Sequence, residues 1–89
     1  MSEARAYIAG MVLEQLHLHE STSIAAAAYD RARRTLRITF KSKRSSDNGR
    51  IYDYFDVPAN ETEALVSAGS HGQFVNWRIK PNFACHEVI

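Results

Sequence analysis

Hydrophobic and polar residues alternate most regularly from Thr35 to Lys41. Leu36, Ile38 and Phe40 fall on one side, and Thr35, Arg37, Thr39 and Lys41 on the other. A period of two is that of a half-buried β-strand. The alternation returns from Ile51 to Val57, with Ile51, Asp53, Phe55 and Val57 set against Tyr52 and Tyr54. Between the two lies the polar stretch Lys43-Arg44-Ser45-Ser46-Asp47-Asn48-Gly49, which ends on an Asn-Gly turn signal and is longer than a tight hairpin turn. Upstream, Ile24 to Tyr29 contains four alanines. Alanine favours helix by intrinsic propensity, but the run is short. Asp30-Arg31-Ala32-Arg33-Arg34 after it reads as a turn into the next strand. A third strand is therefore expected at Ile24–Tyr29.

Helix capping signals appear after these strands. Pro58 suits a first helical turn, and Asn60-Glu61-Thr62-Glu63 approximates a capping box ahead of Ala64, Leu65 and Val66, with Gly69 as the C-cap. Ser70-His71-Gly72-Gln73 opens a second helix that carries Phe74, Val75, Trp77 and Ile79 into its apolar set and stops at Pro81. Asn82 to Ile89 either adds a short strand or docks. At the N-terminus, Tyr7, Ile8, Met11, Val12 and Leu16 fit a helical stripe interrupted by Gly10, and Leu16 to His19 alternates like a short strand. Residues 1–20 are thus read as an N-terminal extension and lead-in strand, and residues 21–89 as the domain. The expected fold is α+β: a small antiparallel β-meander of about three strands followed by two short helices.

Charge changes this picture more than composition does. The formal net charge is only +1. Yet the segment from Arg31 to Arg50 holds eight of the eleven basic residues against Asp47 alone, a local charge of +7, and leaves −6 for the remainder. Segregation of this size creates a field that the overall balance conceals. The longest apolar run, Ile24 to Tyr29, is far shorter than the ~20 residues that span a bilayer. Met1-Ser2-Glu3-Ala4-Arg5 does not resemble a secretion signal. Cys85 is the single cysteine, so no internal disulfide can form. A cytoplasmic location without membrane contact is the natural expectation.

The ordered series Ser23-Ile24-Ala25, Tyr29-Asp30, Thr35-Leu36 with Ile38 and Phe40, Tyr52-Asp53-Tyr54, Val57-Pro58 and Ser70-His71-Gly72-Gln73-Phe74-Val75-Asn76 with Ile79 resembles the KTSC domain. The likeness runs from about Ser21 to Ile89. KTSC domains are named for the C-terminus of some lysyl-tRNA synthetases and also occur as stand-alone bacterial proteins. Their function is unestablished, and the resemblance implies RNA binding only by analogy with that fusion. His71 stands where the family is expected to carry lysine, and the loop at residues 43–49 looks longer and more basic than is typical.

Arg33, Arg34, Arg37, Lys41, Lys43 and Arg44 make a basic hairpin that could follow a phosphate backbone, with Arg50 beside it. The same residues would also serve as a solvated strand face or as protection for a sheet edge. Tyr52 and Tyr54, two apart on one strand, share a face and suit either base stacking or the core. His17, His19, Cys85 and His86 contain no Cys-x-x-Cys pair and do not make a convincing zinc site. Cys85 beside His86 gives no nucleophile–base geometry, because sequence neighbours rarely point at each other and the pair lies in the C-terminal tail. No metal, cofactor or enzymatic activity is expected. RNA binding through the basic hairpin is the leading expectation. A protein–protein module is the alternative, in which the +7 segment meets an acidic partner or the −6 remainder of a second copy.

Overall fold

The computed structural model describes residues 5–8, 11–42 and 48–88. In chain order these form β1 (Arg5–Ile8), β2 (Met11–Gln15), β3 (Ile24–Asp30), β4 (Thr35–Lys41), β5 (Asn48–Tyr54), α1 (Ala59–Ser67), α2 (His71–Phe74), which continues as a π-helical turn (Val75–Ile79), and β6 (Cys85–Val88). The strands make one antiparallel sheet in the order β1-β2-β3-β4-β5-β6. The fold is α+β, as expected, but the sheet has six strands rather than about three.

The three extra strands have separate causes. β1 and β2 form a hairpin in register Arg5↔Glu14 to Ile8↔Met11, where a helical stripe was expected. Gly10, which disfavours a helix, lies outside the described residues. β2 then pairs with β3 through Glu14↔Tyr29 and Gln15↔Ala28, so the alanine-rich strand gains a neighbour on each side. Leu16 to His19, read from its alternation as a short strand, belongs instead to an irregular strap beyond β2. β6 returns after the helices to pair with β5, from Tyr54↔Cys85 to Ile51↔Val88, which resolves the open reading of the tail.

One sheet face is covered by the helices and holds the core. Ala27, Tyr29, Leu36, Ile38 and Tyr54 on the strands pack with Val57, Leu65, Val75 and Ile79. The register explains the selection, because Ala27↔Ile38↔Tyr52 and Tyr29↔Leu36↔Tyr54 are cross-strand rows on this face. The Tyr29 hydroxyl donates to the Val57 carbonyl, which satisfies its one polar atom within the core. Across the opposite face runs the row Ala28↔Arg37↔Asp53↔His86.

The helices differ in detail from the sequence reading. α1 begins at Ala59, with Pro58 at its N-cap and no side-chain cap, and Thr62 donates to the Ala59 carbonyl at 2.6 Å. The expected capping box is therefore absent, because the helix starts before it. Ser70 does cap α2 by accepting from the Gln73 amide at 3.2 Å. Beyond Phe74 the chain widens to a π turn, closed by the Lys80 amide donating to the Val75 carbonyl at 2.8 Å. Val75 and Ile79 point inward, while Trp77 is 74% exposed. Trp77 was placed in the apolar set by its chemistry, but it lies two residues from both inward positions, about half a turn away. As Trp77 is the only tryptophan in the chain, the emission spectrum of the folded protein should resemble that of free tryptophan and be readily quenched by acrylamide. A blue-shifted, protected emission would contradict this placement. No helix among the described residues is long and apolar enough to cross a membrane.

Candidate nucleic-acid interface

The basic segment does not form a single strip. Arg31, Arg33 and Arg34 sit in the β3–β4 turn. There Asp30 shapes the backbone by accepting from the Arg33 amide at 3.1 Å, and Arg34 adopts a left-handed φ of 54°. Lys41 lies at the other end of β4, about 20 Å away for a seven-residue strand. Arg37 lies between them on the face opposite the core. Lys43 and Arg44 fall outside the described residues.

Most of this charge is neutralised within the molecule. Arg31 meets Glu14 at 3.6 Å, Arg33 meets Asp30 at 4.0 Å, Lys41 meets Glu20 at 3.0 Å, and Arg50 meets Glu87 at 3.9 Å. Arg37 is the most firmly held. Its Nε and Nη2 donate to the two oxygens of Asp53 at 2.7 and 2.9 Å, and the side chains of the pair are only 15% and 11% exposed. The hydrogen bond to Asp53 is the main cause that raises the Arg37 pKa above its ordinary value. The acidic remainder of the chain thus closes back on its own basic segment. Arg37, expected from the sequence as a phosphate contact, is held in a bidentate ion pair with Asp53.

The two tyrosines also separate. Tyr54 is 2% exposed, and burial pushes its hydroxyl up to about 12. It has no face free for a base, because its row ends under the helices. Tyr52 is one residue pair further from that cover and is only half-buried. It meets Phe40 edge-on, with ring centroids 5.9 Å apart and planes at 75°.

Three cations surround this aromatic pair. Lys80, leaving the π turn, places its Nζ 5.1 Å from the centre of the Phe40 ring. It has no carboxylate within ion-pair distance among the described residues. Arg50 lies two residues from Tyr52 on β5, and its guanidinium pKa is raised, first by the neighbouring Tyr52 and then by Glu87. Lys41 closes the strand end; its Nζ also donates to the Ser21 carbonyl. Two adjoining clefts result, and both are lined by Phe40 and Lys80. One, of about 340 Å³, includes Ser23, Lys41, Gly72 and Asn76. The other, of about 400 Å³, includes Tyr52, Tyr54 and Cys85. Gly72 permits the close approach of the strap: a Cβ there would lie 3.0 Å from the Ser23 Oγ.

The sequence pattern does not single out Phe40, Arg50 and Lys80 as site residues. Phe40 belongs to the strand's apolar stripe, and only its position at the end of the covered face leaves it accessible. Lys80 comes from a helix remote in sequence, and no local pattern links it to Tyr52. The remaining candidates stay apart. His19 rests on the α1–α2 corner, whereas Cys85 pairs across from Tyr54 and His86 across from Asp53, on the opposite sheet face. Among the described residues no three His, Cys, Asp or Glu side chains group as metal ligands.

The geometry defines a small sheet-and-helix domain with an aromatic, cation-rimmed cleft where the covered face opens. The KTSC domain profile matches residues 20–83 of this chain, and the chain belongs to the KTSC domain family. It is 39% identical over 64 residues to a protein of Tsukamurella paurometabola described only as "Protein", covering 72% of this chain and 87% of that one. It is 35% identical over 69 residues to a lysine–tRNA ligase of Nostoc punctiforme, covering 78% of this chain but 11% of the ligase. The crystal structure of a KTSC domain protein from Yersinia pestis superposes with a TM-score of 0.71 at 27% identity, covering 86% of this chain and 99% of that one. The β1–β2 hairpin precedes the matched range.

Proposed function

We propose that this domain is a non-catalytic module that binds single-stranded RNA at the Phe40–Tyr52 cleft. The observation that carries the reading is the half-exposed aromatic pair with Lys80 over one ring and Arg50 two residues from the other on β5. Aromatic faces accept any base by stacking, and cations beside them meet the adjoining phosphates. The cleft suits an extended strand, because it holds one or two rings rather than the width of a duplex. The likeness to part of a lysine–tRNA ligase supports an RNA context. The alternative, charge-driven self-association, is less well supported. Glu14, Glu20, Asp30, Asp53 and Glu87, which would attract a second copy, already face cations of the same chain.

The test is an anisotropy titration of a labelled, unstructured RNA oligonucleotide at low salt. Lys80→Glu removes and reverses one phosphate contact and should weaken binding by about tenfold or more. Arg33→Glu combined with Arg34→Glu, at the far end of β4, should weaken it less. Equal affinity of the wild-type protein and Lys80→Glu would sink the cleft assignment.

A further inference from the structure

His19 lies on the exposed strap between β2 and β3, and both of its ring nitrogens face acceptors. Nε2 is 3.0 Å from the Ala68 carbonyl oxygen at the end of α1, and Nδ1 is 3.1 Å from the Glu20 carbonyl oxygen. A carbonyl oxygen has no hydrogen to give. Both contacts are hydrogen bonds only when each nitrogen carries a proton, as in the imidazolium form. A neutral ring supplies one N–H and turns a lone pair toward the other oxygen.

The surroundings accommodate that cation. His71 at the start of α2 lies against it, with ring centroids 3.8 Å apart and planes at 30°. The His71 Nδ1 is committed to the Leu65 carbonyl at 2.9 Å, while its Nε2 is buried without a partner. Glu20 is the nearest carboxylate in sequence, but its Oε2 is bound to Lys41 at 3.0 Å. The α1–α2 corner therefore meets His19 with one carbonyl and one imidazole face.

We propose that His19 is a protonation-dependent clasp that fastens the strap to the α1–α2 corner and thereby sets the rim of the cleft. The strap is continuous with that rim. Ser21 Oγ accepts from the Ile24 amide at 3.1 Å, the Lys41 amide donates to the Ser23 carbonyl at 2.8 Å, and Thr22 and Ser23 line the cleft beside Lys41, Asn76 and Lys80. Loss of the proton removes one of the two anchors and frees His19 from Ala68 or Glu20. The strap then loosens where it borders Gly72 and Lys41. The clasp does not depend on what the cleft binds.

The sign of the pH effect follows from the two acceptors. The Ala68 carbonyl, and after it the Glu20 carbonyl, raise the His19 pKa above the ordinary 6.5. The stabilisation is complete below that ordinary value and is lost as pH rises through the folded-state value. Side-chain NMR titration of the full chain should show His19 titrating above 6.5, with both ring nitrogens protonated on the acid side. Thermal unfolding between roughly pH 5.5 and pH 8 should show the melting temperature falling as pH rises. His19→Gln, whose amide offers one donor group, should flatten that dependence, whereas His17→Gln should leave it intact. A His19 titration at or below the ordinary value, or a pH dependence unchanged in His19→Gln, would overturn the clasp. Neither readout uses RNA, so a failure here is separable from a failure of the RNA reading.

Discussion

Replacing Arg37 by alanine should lower the unfolding free energy by about 3 kcal/mol, because it leaves the Asp53 carboxylate buried without its partner. Asp53 is 8% exposed, and both of its oxygens accept from the Arg37 guanidinium. For a chain of 89 residues the total stability is on the order of 4–13 kcal/mol, so one such change removes a large share of it. Urea denaturation would register the loss as a lower midpoint with little change in slope. The double replacement Arg37→Met with Asp53→Leu should recover most of it, since a buried ion pair contributes little over an apolar pair of similar size. RNA affinity of the folded protein should be nearly the same in this double variant. A stable Arg37→Ala protein that no longer bound RNA would restore Arg37 to the binding surface and contradict its structural role.

Tyr52→Leu should reduce RNA affinity by about 1–3 kcal/mol, the usual loss when an aromatic residue stacked on one base is removed. Leucine keeps an apolar side chain of useful size against Phe40, so the cost in stability should be smaller than that of truncation to alanine. Tyr52→Phe should retain most of the affinity, because it preserves the ring and loses only the hydroxyl. The three proteins compared in one anisotropy series distinguish stacking from simple packing. Equal binding by the leucine and tyrosine proteins would show that the ring is a core element alone.

Both sites depend on contacts that the local sequence does not encode. β4 was legible to the residue, because Thr35–Lys41 alternates cleanly and one of its faces is covered. β3 was legible despite its alanines, since Asp30 to Arg34 reads as a turn. β2 and β6 gave weaker signals: each is four or five residues long, and their pairing is set by partners distant in sequence. The charge excess from Arg31 to Arg50 was equally plain, but its meaning was not. Whether Arg37 meets phosphate or Asp53 depends on the β4–β5 register, which places residues 37 and 53 side by side. The same register sends Tyr54 beneath the helices and leaves Tyr52 at the opening. Lys80 enters only because the π turn delivers it over Phe40, an arrangement that no local pattern encodes.

Binding of single-stranded RNA at the cation-rimmed aromatic cleft should show itself in the salt dependence of wild-type affinity. If Lys80 neutralises one phosphate, and Lys41 and Arg50 exchange their exposed Glu20 and Glu87 partners for two more, the logarithm of the binding constant should fall against the logarithm of salt concentration with a slope of about −2. Stacking should leave measurable affinity where the electrostatic contribution is screened. An unstructured RNA oligonucleotide should give that slope, reduced by about 0.7 in Lys80→Ala. Absence of binding at low salt, or binding whose slope is the same with and without Lys80, would contradict binding at this cleft.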